Sequence, residues 1–177
     1  MAVDQKAPGP ALQAAAKRVR QRYSHGEHRP LGSFVVLTGC YVAAVGVGFL
    51  VARSRGVRVP ARPAVGDLAL VAIATLRTSR LIAKDSVTSP LRAPFTRFQE
   101  AGGAGEVNEQ VVGRGARKAM GELLSCPFCI GQWVSTGLVG GLVLAPRATR
   151  WLAATMCVSA AADTLQFGRA LLEHAAE

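Results

Sequence analysis

Leu123-Leu124-Ser125-Cys126-Pro127-Phe128-Cys129-Ile130-Gly131-Gln132-Trp133-Val134-Ser135-Thr136-Gly137-Leu138-Val139-Gly140-Gly141-Leu142-Val143-Leu144-Ala145-Pro146 carries no charged side chain from end to end. An α-helix rises about 1.5 Å per residue, so roughly 20 apolar residues cover the hydrocarbon core of a bilayer. This run is long enough to do so. It also opens with Cys126-x-x-Cys129, the only motif in the chain with evident chemistry, and Trp133 follows one to two turns later.

Composition agrees with a membrane location. Half of the 177 residues are apolar, while the formal net charge is +10. A soluble core mixes apolar and charged residues at helical period, whereas here the apolar residues concentrate in spans and the basic ones in the flanks. Three further segments join Leu123–Pro146. Pro30–Ala52 is free of charge, and Trp151–Gly168 is interrupted only by Asp163, with Trp151 as an interfacial anchor. Val65–Lys84 is the weakest, because its strongly apolar part ends at Leu76; Arg77 and Arg80 must snorkel if it spans, and otherwise it lies at the interface as a hairpin helix.

The pattern therefore predicts an all-α, polytopic membrane protein with about four transmembrane helices and an interfacial cytoplasmic loop. Residues 1–29 form a basic arm, 30–62 the first transmembrane helix and its loop, and 63–177 the remaining membrane domain. Four spans place the arm, the central loop and the C-terminal tail on one side, together with most of the lysines and arginines. By the positive-inside rule this side is cytoplasmic, in the inner (cell) membrane of a bacterium. Arg53, Arg55, Arg58 and Arg62 fall on the opposite side, a placement that fits better if the second segment does not cross. The apolar run of the first span is too long, and its preceding arm too extended, for a cleavable signal peptide.

The arm includes a basic helical stretch, Ala11–Arg22, suited to anionic lipid headgroups. Nucleic-acid binding is the rival reading of the same charge and is not favoured: the chain has no nucleic-acid motif, and Tyr23 is the arm's only aromatic residue. A protein partner or a second copy of the chain is compatible with the same surfaces.

Cys40 and Cys157 lie inside apolar spans and read as small packing residues. Cys126 and Cys129 lie near a helix N-terminus, where the dipole favours thiolate. Such a pair serves as structure at the turn, as a dithiol redox centre, or as half of a tetrahedral zinc site. His25, His28 and His174 lack ligand spacing with the pair, so a complete zinc site would require distant residues or a second subunit, and no cofactor is expected. Pro127 between the cysteines restricts the turn that starts the span.

Two motifs carry a family resemblance. Thr75-Leu76-Arg77-Thr78-Ser79-Arg80-Leu81-Ile82-Ala83-Lys84-Asp85 with Pro90-Leu91-Arg92-Ala93-Pro94-Phe95, and Gly121-Glu122-Leu123-Leu124-Ser125-Cys126-Pro127-Phe128-Cys129-Ile130-Gly131-Gln132-Trp133-Val134, resemble the bacterial membrane family called DUF 1360, which includes a Bacillus sporulation protein. The resemblance covers roughly Val65 to Leu171 and makes Asp85, Arg92, Pro94, Phe95, Pro127 and Trp133 motif residues. It implies a membrane location and no particular activity. The arm and first span lie outside it.

In the central loop, Leu91, Phe95 and Phe98 recur at i, i+4 and i+7, with Arg92, Arg97 and Glu100 turned to water; this predicts a short amphipathic element on the cytoplasmic leaflet. Gly102-Gly103-Ala104-Gly105 reads as a flexible break, and Val111–Leu124 as a juxtamembrane helix running into the third span. Arg77 and Asp163 fall at similar depth, so Asp163 is expected to pair with Arg77 or Arg80. A register-fixing pair is favoured over a proton relay, because no second acid is evident nearby. Gly46, Gly48, Gly137, Gly140 and Gly141 are candidates for close helix approach.

The functional expectation is a non-enzymatic membrane interaction or scaffold protein. The alternatives are a membrane thiol or metal protein acting through Cys126 and Cys129, and a small transporter or channel subunit.

Overall fold

The computed structural model describes residues 14, 15, 18, 19, 22, 23 and 30–176. The expectations for the basic arm therefore lie mainly outside the described residues. The described chain is mostly helical. Its elements are α1 (Leu31–Ser54), α2 (Val65–Ala83), a single 3-10 turn (Ser86–Thr88), α3 (Ser89–Arg92), β1 (Thr96–Ala101), β2 (Val107–Val111), α4 (Ala116–Ser125), α5 (Pro127–Leu144) and α6 (Pro146–Ala175). Among the described residues, α1 and α5 are the two helices long and apolar enough to cross a membrane.

The helix boundaries follow from prolines. Leu123–Pro146 is not one helix: α4 ends at Ser125, Cys126 is extended (φ −107°, ψ 109°), and Pro127 starts α5. A residue before proline avoids the α region, and proline suits the first helical position because its missing N–H has no intrahelical partner to lose. The next break, at Ala145 before Pro146, has the same origin and turns α5 back into α6. There Gly141 makes a close crossing possible, since a Cβ on it would sit 2.6 Å from Thr149 Oγ1. Gly46, Gly48, Gly137 and Gly140 have open space instead, so the close approach expected of five glycines is realised at one.

α2 lies at the centre, packed between α5 and α6. The core is small: Val71, Ala74, Leu138 and Ala153 are buried together. Contacts fix the directions. Asp67 bonds Arg150 near the starts of α2 and α6, Leu70 O accepts from Cys157, and Arg77 meets Ser159 further on, so these two helices run parallel. Gly131 of α5 faces Ser79 of α2, while Leu138 packs with Val71 and Ala74, making α5 antiparallel to α2. Tyr41 of α1 stacks edge-on against Trp133 at 5.2 Å and shares hydrogen bonds with Gln132 and Thr136. Cys157 packs as expected; Cys40 is exposed.

Large apolar side chains point outward. Val35, Val36, Phe49 and Leu50 on α1, Leu68 and Ile73 on α2, and Leu152, Val158 and Leu165 on α6 are all exposed. Soluble monomers rarely present so continuous an apolar exterior.

The central segment departs from expectation. No amphipathic helix carries Leu91, Phe95 and Phe98: Pro94 follows the four-residue α3, and the chain turns into an antiparallel hairpin, with Thr96 opposite Val111 and Phe98 opposite Glu109. Gln99 is the extra residue of a bulge. The glycine-rich stretch is the hairpin turn, closed by Gly102 N donating to Glu106 O (2.9 Å) and Glu106 N to Gly103 O (3.0 Å). Two more backbone bonds, Val107 N to Lys84 O (3.0 Å) and Ser86 N to Gly105 O (2.9 Å), fasten the hairpin to the chain leaving α2. α4 closes over the other side, where a Cβ on Gly121 would meet Val111 Cγ1 at 2.6 Å.

Candidate functional site: a charged pocket capped by the hairpin

Arg92, expected to face water, is wholly buried. Its guanidinium spends every donor. Nε and Nη2 hold the Glu109 carboxylate at 2.9 and 3.1 Å, Nη1 donates to Ile82 O (2.6 Å) and Thr88 Oγ1 (2.7 Å), and Nη2 also reaches Asp85 O (3.1 Å) and Ser89 Oγ (3.3 Å). A guanidinium has five N–H groups in a planar fork, and all have acceptors here. Ile82 O is one of the carbonyls left unpaired at the end of α2, so Arg92 also caps that helix with positive charge where its dipole is negative. Thr96 Oγ1 lies 2.8 Å from Glu109 Oε2. Burial raises the Glu109 carboxyl pKa, but the Arg92 guanidinium and the Thr96 and Ser89 hydroxyls outweigh it and hold it below its ordinary value.

A separate pocket of about 590 Å³ lies between α2, α6 and the hairpin turn, with Asp85 of the turn after α2 in its lining. Arg77 Nη1 lies 2.9 Å from Asp85 Oδ2, and Arg77 Nε lies 2.9 Å from Asp163 Oδ2 and 3.1 Å from Ser159 Oγ. Arg80 pairs with Glu106 of the hairpin turn and not with Asp163. The expectation that no second acid stands near Asp163 is thereby corrected: Asp85 and Glu106 line the same pocket. Taken together, Arg77, Arg80, Asp85, Glu106 and Asp163 carry one more negative than positive charge. Arg77 is held between Asp85 in the turn after α2 and Asp163 on α6, and the Arg80–Glu106 pair adds the tie to the hairpin turn.

The remaining motif residues serve structure. Pro94 O accepts from Arg117 Nε (2.8 Å), and Phe95 O accepts from Val112 N (2.9 Å), so both tie α4 and the hairpin's far end to α3. Cys126 is the N-cap of α5; its Sγ accepts from Cys129 N (3.3 Å) and stands 2.7 Å from Cys129 Sγ. Both thiols are free. Among the described residues no three His, Cys, Asp or Glu side chains cluster as a metal site.

Glu109, Glu106 and Ser159 escaped the sequence reading. A signal existed for the first. In Val107-Asn108-Glu109-Gln110-Val111 a period of two puts Glu109 on the same face as two valines, and an inward acid needs a cation.

Residues 70–168, from α2 to the pocket-lining turns of α6, match the family described as Protein of unknown function (DUF1360). The chain belongs to this family. The matched stretch contains Arg77, Arg80, Asp85, Arg92, Glu109, Cys126, Cys129 and Asp163, and leaves α1 outside. A relative, Sporulation protein YjcA of Bacillus subtilis (strain 168), is 31% identical over 102 residues, which cover 56% of this chain and 86% of that protein. No solved structure matches.

Two outcomes follow from this geometry. Because Glu109 has a lowered pKa in the fold, its contribution to stability is present above its ordinary value of 4.5 and disappears as the pH falls through the folded value. Glu109→Gln should lower thermal stability at neutral pH by about 3–5 kcal/mol, since it leaves the buried Arg92 unpaired. Melting curves in detergent should show the gap to wild type narrowing with acidification; a gap that is constant with pH means the carboxylate is not charged there. For the second cluster, a double-mutant cycle of Asp163→Asn with Arg77→Gln should give about 0.5–3 kcal/mol of coupling, and the cycle with Arg80→Gln close to none. Equal coupling in both cycles would remove the assigned pairing.

Proposed function

We propose that the protein is a four-span integral protein of a bacterial cell membrane, with both termini and the hairpin in the cytoplasm, and that it works as a non-enzymatic interaction platform for lipid or protein partners. The observation that carries this reading is the hairpin, fastened to the end of α2 by a buried arginine instead of hanging as a free loop. A rigid surface held at one end of a bundle is suited to recruitment, and in this region Val87, Leu91, Arg97 and Phe98 are all exposed. Such a mixture fits the headgroup region of an anionic leaflet or a partner bound there.

The four-span arrangement is supported by the helix directions. α1 and α5 start at the hairpin end, where Phe34 and Cys129 line one groove; α2 and α6 both run toward that end. That alternation is what four successive crossings require. Arg77 and Asp163, the charges that weaken α2 and α6 as spans, pair with each other, Arg77 largely covered and Asp163 about half exposed, and the pairing lowers the cost of placing them in lipid. The second reading, a thiol protein, is favoured by the short approach of Cys126 and Cys129.

Reporter fusions test the topology. Fusions within the hairpin turn at Gly103 and after the C-terminus should report cytoplasm, and one at Gly56 should report the opposite side. A signal at Gly103 matching that at Gly56 would contradict the arrangement.

A further inference from the structure

The Cys126-Pro127-Phe128-Cys129 turn is left unused by the platform reading, although it stands beside a second cavity. α1, α4 and α5 enclose a groove of about 440 Å³. Phe34, Leu37, Thr38 and Tyr41 supply one wall from α1, at the i, i+3, i+4 and i+7 spacing of a single helix face. Cys129, Gln132 and Trp133 supply the wall opposite.

The chemistry of these walls is uneven in a useful way. Trp133 offers a flat apolar ring, fixed by its edge contact with Tyr41. Gln132 Nε2 donates to Tyr41 Oη at 2.9 Å, and Tyr41 Oη lies 2.7 Å from Thr136 Oγ1, so the polar atoms are already oriented. A carboxamide has a second N–H to give, which can reach a carbonyl oxygen placed in the groove. Cys129 is exposed to the groove, and its Sγ stands 2.7 Å from Cys126 Sγ. The remaining exterior of α1 is apolar and exposed, so the natural visitor is a lipid-soluble molecule with a flat ring and carbonyl oxygens.

We propose that Cys126 and Cys129 form a redox-active dithiol that a lipid-soluble quinone oxidises in this groove. The reaction balances without a further reactant. The two thiols lose two electrons and two protons, an S–S bond forms between Cys126 and Cys129, and the quinone takes up both electrons and both protons to leave as the quinol. Cys129, the member that lines the groove, meets the ring, and Cys126 closes the bond. Transient disulfides of this kind occur in cytoplasmic proteins as catalytic or sensing devices. Oxidation alters the cap of α5, since Cys126 Sγ is the acceptor for Cys129 N. The inference rests on α1 and α5 lying in the bilayer.

The test uses the full chain in lipid nanodiscs, reduced, freed of reductant and kept without oxygen. The oxidant is a short-chain ubiquinone, whose fully substituted ring cannot alkylate a thiol. Quinol formation is followed by absorbance, and thiols are mapped by alkylation and mass spectrometry. Expected is one quinol per chain, with loss of free thiol at Cys126 and Cys129 and not at Cys40 or Cys157. Cys126→Ser and Cys129→Ser should each abolish quinol formation. Gln132→Leu should slow it by about three- to tenfold, as loss of one hydrogen bond implies, while oxidation by the water-soluble reagent diamide proceeds at the wild-type rate. Thiols that persist under excess quinone overturn the proposal, and so does an equal quinone rate in Gln132→Leu and wild type. Retention of the protein in alkali-washed membranes reads the bilayer placement separately, so failure of the quinone reaction in a membrane-retained protein counts against the redox site alone.

Discussion

A guanidinium with no exposed surface is the constraint around which this molecule is arranged. Removing an arginine from water costs several kcal/mol in a real protein, and the loss is recovered only if its charge is paired and each N–H finds an acceptor. Arg92 meets both conditions by drawing on α2, the turn after it, α3 and β2 at once. Apart from α2 these pieces are too short to be stable alone: α3 has four residues, the strands six and five. A two-stranded hairpin is marginal in water unless something covers or pins it. The arginine pins it, and α4 covers it.

The bundle beneath follows a different rule. Its buried residues are few and small, and its large apolar side chains face out. Such an arrangement suits a lipid environment, where small residues let helices approach while the tails of the bilayer cover large apolar side chains. Polar pairs then do the aligning. Asp67 with Arg150 holds one end of the α2–α6 contact, and Arg77 with Asp163 holds the other. Both pairs cross the same helix interface, so they fix its register as well as its angle.

Much of the helical part was legible in the sequence, because charge-free runs and prolines are strong signals. α1 and α2 fall within a few residues of the expected spans. The third differed because Pro127 acts on the residue before it, so the apolar run Leu123–Pro146 holds the end of one helix and the whole of another. The hairpin was misread for a definite reason. Leu91, Phe95 and Phe98 match helical spacing by coincidence, while the deciding contacts, Arg92 with Glu109 and Lys84 with Val107, join residues separated by a loop and leave no local pattern. Arg92 stood among the motif residues, yet its type alone suggested solvent. Its partner's place between two valines was the available clue.

The platform reading depends on that hairpin end being ordered, since the pocket around Arg77 is lined by the hairpin turn. Hydrogen exchange of the intact protein in lipid nanodiscs, followed by mass spectrometry, measures this order directly. The account predicts that peptides containing Ser86 and Val107 exchange slowly and at similar rates, as one unit with the end of α2. Exchange of the hairpin at the rate of an unstructured peptide, while α5 stays protected, would contradict it.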